Sequence, residues 1–430
     1  MHLQRIQVPD FRALKDVDIT FEKEFTPRIF PLGSQNGGGK STLLQLIFVL
    51  LHCAGNRNKV EFIQNLLHDF QVNDESGKRT LAIIDIWDGS KTIQLDFFVC
   101  NEYYIFNLIK EDNQNEGMEA FRTYNYFPGT IFRERISLLN IKEEEEEEEE
   151  EEKINQSELD KKKQVFEMLD IMFSDSLKKR DLVQICKFNN IILKEELLLC
   201  QLNCVEDRIY KIFLQELSNK IFLTAHISQI FLFLEPENRK SLFKKQENNQ
   251  TNYYQQIKVA NSKLPGFFTY DFLSIDILIA AFKKAQEDDF AHAVKQGGIY
   301  GTNYVKLLSE LNNLLSNKKI NVQPDLSGIN FKIDGDDTEL YPEDLSHGEL
   351  KRLCIYMWLK HNKIEDAIVL MDELEISFHP DWQYQIVRDL EEWGATNQYI
   401  LATHSYELCN AVTPAHVKEL DPKLQPRKIQ

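Results

Sequence analysis

Apolar positions follow three rhythms in the first hundred residues. Over His2 to Gln7 and Val17 to Phe21 they alternate with polar ones, which predicts two strands flanking Phe11-Arg12-Ala13-Leu14. Ile29 to Leu32 is a short unbroken apolar run, read as a strand. From Leu43 to Leu51 no polar face remains, so the pattern predicts a helix buried on all sides beneath a sheet. Alternation returns in Leu81 to Trp87, Thr92 to Cys100 and Tyr103 to Leu108. These read as antiparallel strands joined by turns at Asp88-Gly89-Ser90 and Asn101-Glu102, with Asn125 to Gly129 closing the lobe.

From about Ser157 to Leu315 the pattern is mainly helical, with Leu-rich segments at Phe166 to Phe173 and Ile191 to Leu202 and a polar loop at Asn248 to Asn252. No heptad repeat is sustained enough for a long coiled-coil arm. The run Gln229 to Leu234 (QIFLFL) is read as core in preference to a partner surface. Ile329 to Ile333 and Glu339 to Tyr341 bracket Asp334-Gly335-Asp336-Asp337 as a hairpin. The next helix carries Leu350, Leu353, Cys354, Met357 and Trp358 on one stripe. Ala367 to Met371 then reads as a buried parallel strand ending in Asp372-Glu373. A helix from Pro380 to Trp393, stopped by Gly394, leads to a strand, Tyr399 to Ala402, ending in Thr403-His404-Ser405.

Composition narrows the class. A chain of 430 residues with 43% apolar and 27% charged residues is expected to fold as a soluble protein of two domains. The net charge is −18, and Glu143 to Glu152 supply ten of those charges, leaving −8 elsewhere. That run reads as a solvated insertion. The overall sign argues against broad DNA binding, although a local basic groove stays open. The longest apolar stretch is too short for a bilayer, and Met1-His2-Leu3-Gln4-Arg5 lacks a signal peptide's apolar core. A cytoplasmic location without a membrane partner is expected. Of the seven cysteines only Cys200 and Cys204 are close, at helical spacing and without histidines, so packing is preferred to zinc.

The candidate chemistry begins at Ser34-Gln35-Asn36-Gly37-Gly38-Gly39-Lys40-Ser41-Thr42, between an apolar strand and an apolar helix. That is the P-loop arrangement. Gly37, Gly38 and Gly39 let main-chain N–H groups turn toward a phosphate chain, and the helix start adds unpaired donors. Asn36 and Thr42 complete the cradle. Lys40 is expected to reach the β- and γ-phosphates of ATP, and Ser41 to ligate Mg²⁺. Ser34 stands where the motif's first glycine is usual, with Gly33 one place early. Asp372 is expected to hold Mg²⁺, Glu373 to polarise the attacking water, and His404 to sense the γ-phosphate and position that water. The P-loop, the acid pair and His404 all fall at carboxyl ends of strands, the edge where ligands bind in an open parallel sheet. Leu345-Ser346-His347-Gly348-Glu349 contains a capping box, Ser346 with Glu349, which alone would only start a helix.

Together these residues resemble the RecF/SMC-like branch of ABC ATPases, close to the compact ATPases related to the OLD family of bacterial anti-phage systems. The resemblance rests on Phe11-Arg12, Ser34 to Thr42, Leu345 to Glu349, Asp372-Glu373 with Glu375, His379-Pro380, Gln383 and Thr403-His404-Ser405. It covers roughly 1–130 and 325–430. It implies an α/β P-loop NTPase of ABC type, with a mixed-sheet lobe, an antiparallel β lobe and a mainly helical insertion. The division expected is 1–130 and 326–430 for the ATPase halves, with 131–325 as acidic linker and insertion. By the same resemblance Arg12 contacts nucleotide. Ser346 and Gly348, with His347 where the family has glycine, form the signature that meets ATP bound by the other subunit. The family's Q-loop glutamine has no position assignable from spacing. A homodimer sandwiching two ATP molecules, or a higher oligomer, is implied. OLD proteins continue into a Toprim nuclease, whereas about 25 residues follow His404 here. A separately encoded effector, a nuclease or toxin, is therefore expected. Two other readings stay open: a nucleotide-dependent scaffold with little hydrolysis, and a DNA-repair ATPase.

Overall fold

The protein is described from a computed structural model, over residues 1–72, 76–112, 171–190, 194–203, 209–243, 253–270, 274–326, 328–336 and 338–420. Two six-stranded sheets organise it. The first is antiparallel, built from β1 (His2–Phe11), β2 (Leu14–Thr20), β4 (Lys78–Trp87), β5 (Thr92–Cys100), β6 (Leu182–Asn189) and β7 (Glu195–Leu202), in the order β2-β1-β4-β5-β7-β6. The second is parallel. It contains β3 (Ile29–Gly33), β8 (Ile221–Ala225), β9 (Phe267–Thr269), β13 (Ile368–Asp372), β14 (Gln398–Ala402) and β15 (Lys418–Glu419), ordered β15-β3-β14-β13-β8-β9. A small antiparallel sheet joins β10 (Lys318–Val322), β11 (Ile329–Ile333) and β12 (Glu339–Leu340).

Helix α1 (Lys40–Cys53) lies between the two large sheets, which is why it is apolar all round. Leu43 through Leu51 are buried, and Phe48 is fully so. Truncating Phe48 to alanine in such packing costs about 3–5 kcal/mol. The parallel strands alternate faces with the period of two that strands impose. Ile368 and Leu370 pack toward α1, while Val369 and Met371 share the other core with α5 (His347–His361) and α6 (Pro380–Trp393); α2 (Glu102–Asp112), α3 (Ser274–Lys295) and α4 (Asn303–Leu314) precede these along the chain. Gln398, fully buried on β14, sews the sheets together. Its Oε1 accepts from Leu3 N at 2.7 Å and its Nε2 donates to Leu3 O at 2.9 Å.

Three expectations change. Tyr103 to Leu108 is not a strand but part of α2. The Asn101 side chain accepts from the N–H groups of Tyr103 and Tyr104, starting a helix that buries Ile105, Leu108 and Ile109 at helical spacing. The described part of Ile191 to Leu202 is not helical, since Glu195–Leu202 forms β7 and pairs with β5 and β6. Described residues between 131 and 325 do include several helices, yet they also supply β6 to β9 to the two large sheets. Those four strands are integral members of the large sheets. Gln229 to Leu234 does enter the core through Phe231, Phe233 and Leu234. Asn125 to Gly129, Glu143 to Glu152, most of Phe166 to Phe173, Cys204 and Asn248 to Asn252 lie outside the described residues. Cys200 is fully buried on β7.

Candidate active site

The parallel order of β3, β14, β13 and β8 aligns four strand ends on one edge, and the loops leaving them carry the polar residues. From β3, the loop through Ser34 to Gly39 turns into α1. Gly37 and Gly39 have φ of +81° and +90°, a region side chains other than glycine rarely adopt. Gly38 is required for space, because a Cβ there would sit 2.4 Å from Ser34 Oγ. Ser34 thus fits by packing against Gly38. Asn36 and Gly37 face solvent. The Arg12-Ala13 turn between β1 and β2 leans on the loop, since a Cβ on Gly39 would meet the Leu14 and Ala13 side chains. The Arg12 guanidinium pairs with Asp69 at 3.2 Å.

Lys40 is 6% exposed, and its Nζ donates to Ser34 Oγ at 3.1 Å and to His404 Nε2 at 2.9 Å. An ammonium has only donors, so Nε2 of His404 is the acceptor. Burial lowers the Lys40 pKa against the pull of Asp372, Glu375 and Glu373. Ser41 Oγ donates to Asp372 Oδ1 at 3.0 Å. Asp372 is 1% exposed, and its other oxygen, Oδ2, is buried without a hydrogen-bond partner among the described residues. Burial raises this carboxyl to about 7; the Ser41 bond opposes the rise, and Glu373 and Glu375 add to it. A buried carboxylate oxygen without a donor, beside a serine hydroxyl, is a hard-oxygen pair suited to Mg²⁺.

Glu373 follows with φ of +49°, its N–H bonded to Ala402 O at 3.0 Å. Gln229 Nε2 donates to Glu373 Oε2 at 2.5 Å. This glutamine was missed by sequence reasoning. The available signal was a lone polar residue heading an apolar run just after a strand. Glu375 Oε1 accepts the His404 N–H at 2.7 Å, and Gln383 Oε1 accepts from Ser405 Oγ at 2.6 Å. The His404 loop is thereby held through its backbone by Glu375 and through the Ser405 hydroxyl by Gln383 of α6.

Ser346 caps α5 with a complete capping box. Its Oγ accepts from Glu349 N, and Glu349 Oε2 accepts from Ser346 N at 3.1 Å and Oγ at 2.8 Å. Lys318 on β10 donates to Glu349 Oε1 at 2.7 Å. Ser346 and His347 are exposed while Gly348 is buried, with Ser377 O 2.7 Å from where a Cβ would be. Lys40, Ser41, Asp372, Glu373 and His404 therefore form one constellation. Arg12 borders it through the glycine loop, and Ser346 and Gly348 stand on the far side of the 373–377 turn.

Comparison with known proteins agrees with a nucleotide site. The sequence profile of the AAA ATPase domain matches residues 1–409. Retron Vc95 probable ATPase of Vibrio cholerae serotype O1 biovar El Tor is 44% identical over 58 residues, 13% of this chain and 11% of that protein. Retron Ec83 probable ATPase of Escherichia coli is 35% identical over 51 residues, 12% of this chain and 9% of that protein. The match thus spans about a tenth of the length of these curated relatives. Among solved structures, an SMC head bound to the C-winged helix domain of ScpA aligns over 96% of this chain and 93% of that chain, with a TM-score of 0.40 and 9% identity. The SMC head domain from Thermotoga maritima aligns over 96% and 92%, with a TM-score of 0.39 and 10% identity. Among the described residues no helix is long and apolar enough to cross a membrane. With its glycine loop, strand-end acids and His404 inside a profile match over 1–409, the chain belongs to the AAA ATPase domain family.

Proposed function

We propose that the chain is an ATP-hydrolysing molecular switch, the ATPase subunit of a prokaryotic anti-phage defence system that gates a separate effector, a nuclease or toxin. The observation that carries the hydrolytic part is the convergence of Lys40, Ser41, Asp372, Glu373 and His404 at one sheet edge, with Lys40–His404 at 2.9 Å and Ser41–Asp372 at 3.0 Å. The two retron-named ATPases among its similar proteins support the placement in defence.

On this reading the main-chain N–H groups of Gly37 to Lys40 surround the phosphates, and Lys40 exchanges Ser34 and His404 for phosphate oxygens. His404, released from Lys40, then faces the γ-phosphate. Glu373, held by Gln229, accepts the proton of the attacking water. Mg²⁺, when bound, would be held by Ser41 Oγ and Asp372 and would neutralise phosphate charge. Ser346 and Gly348 would meet the nucleotide of a second copy, closing a two-fold dimer. Loss of that bridging phosphate would change the conformation an effector reads.

The test is ATP turnover and particle mass, with and without ATP, for wild type, Lys40→Ala and Glu373→Gln. Lys40→Ala should lose both turnover and ATP-dependent assembly. Glu373→Gln should keep assembly while turnover falls about 10²–10⁴-fold. Assembly on ATP without wild-type turnover would instead favour a scaffold, and absence of ATP binding would sink both readings.

A further inference from the structure

One buried lysine joins the α5 helix to the catalytic turn of the same chain. Lys351 is 4% exposed, and its Nζ donates to Glu373 O at 3.0 Å and Ile376 O at 3.2 Å. The ammonium lies 4.1 Å from the Tyr270 ring centroid and 5.5 Å from that of Phe378. Taking an ammonium out of water is costly unless its donors are matched. Two of these donors are directed at main-chain carbonyls of one short turn.

That turn is strained. Glu373 and Ser377, neither a glycine, have φ of +49° and +73°. Such a conformation is costly for a residue with a Cβ and persists only where the surroundings fix it. Gly348 touches the far end of the same turn, since a Cβ there would lie 2.7 Å from Ser377 O. The side chain of Glu373 is held at its tip by Gln229, but its backbone direction is set by the turn.

We infer that Lys351 is a positioning residue for Glu373: by holding the carbonyls of residues 373 and 376 it keeps the strained turn closed and the Glu373 carboxylate aimed at the water site. The inference rests on the hydrolytic reading of Glu373. Lys351 touches no reacting atom; it acts through the turn.

Lys351→Met keeps the unbranched apolar stem to within one atom of its length and removes the donors. It should lower kcat about 10- to 100-fold, the scale of a misplacement near 1 Å. KM for ATP and ATP-binding stoichiometry should stay within about threefold, because ground-state binding does not use Glu373. Lys351→Arg should recover part of kcat. If Lys351→Met does not fold, Lys351→Gln replaces it, since its amide ends one atom short of both carbonyls. Unchanged kcat in Lys351→Met, or in Lys351→Gln where that is the folded variant, overturns the inference. So does a loss of kcat matched by an equal loss of ATP-binding stoichiometry, the sign of a merely structural role. A wild-type chain without turnover overturns the hydrolytic reading and this inference together, whereas wild-type turnover with unaffected variants overturns this inference alone.

Discussion

Two helices in this chain begin at residues that the proposed function gives to phosphate, and they begin in opposite ways. Helix α1 starts at Gly39 with φ of +90°, no side-chain cap and no acidic residue in its first turn. Its positive dipole end is left bare. Helix α5 starts at Ser346 with a full capping box, and Glu349 in its first turn is paired with Lys318. Its dipole end is already occupied by the chain's own carboxylate. The contrast separates two ways of meeting an anion. A bare start is prepared for a ligand bound within the same subunit. At a filled start an arriving phosphate must take over bonds that Ser346 makes to Glu349, so capture there is an exchange.

The comparison breaks most visibly at Gly39. Gly39→Ala would place an L residue at φ of +90° and push a Cβ to 2.7 Å from Leu14 Cδ2. The strain alone is about 1–3 kcal/mol, so the melting temperature should fall by several degrees. Turnover should fall below detection because the N–H groups that surround phosphate move. Wild-type turnover in a folded Gly39→Ala chain would remove phosphate from the α1 start. Ser346→Ala is the counterpart at α5. Loss of the cap should cost about 1 kcal/mol in a thermal melt of the nucleotide-free chain. On the dimer reading turnover should also drop about tenfold, since a charge-assisted bond to phosphate is lost. Stability lost with turnover intact would leave Ser346 as a cap and nothing more.

Much of this site was legible because its parts are local. Strand, glycines, Lys40 and helix follow one another within the Ile29–Cys53 segment, and Asp372 and His404 each end an apolar strand. Ser346 and Glu349 are three residues apart, as a capping box demands. What stayed hidden depends on long-range pairing. Gln229 heads an apolar run and acquires its role from Glu373, 144 residues away. Lys351 reads as one more charge on a helix; only the packing of α5 against the 373–377 turn buries it. The segment Glu195–Leu202 is buried on nearly every position because β5 and β6 flank it and the sheet is covered. An apolar run of that kind has no period to distinguish strand from helix. Tyr103 to Leu108 misled for a related reason: aromatic and β-branched residues favour strands, but the Asn101 cap overrode that propensity.

The smallest expected effect is also the sharpest test of exchange at the α5 start. Burial raises the Glu349 carboxyl, yet the bonds from Lys318 and Ser346 outweigh it and hold the pKa below the usual 4.5. A carboxyl depressed in the folded state contributes stability at pH values above 4.5, and that contribution is lost as pH falls through the folded value. Glu349→Gln keeps a side chain able to accept from Ser346 N but gives up the charge facing Lys318. Near neutral pH the cost should be about 1 kcal/mol, discounted for the partial exposure of the pair. The gap to wild type should narrow as pH falls below 4.5, in paired thermal melts; a constant gap would mean that Glu349 acts through shape. Turnover should not fall with stability. A neutral side chain holds the Ser346 hydroxyl less tightly, so an arriving phosphate displaces it more readily, and kcat should equal or exceed that of wild type. A kcat as low as that of Ser346→Ala would instead place Glu349 itself at the phosphate, and the filled helix start would then be part of the ligand site.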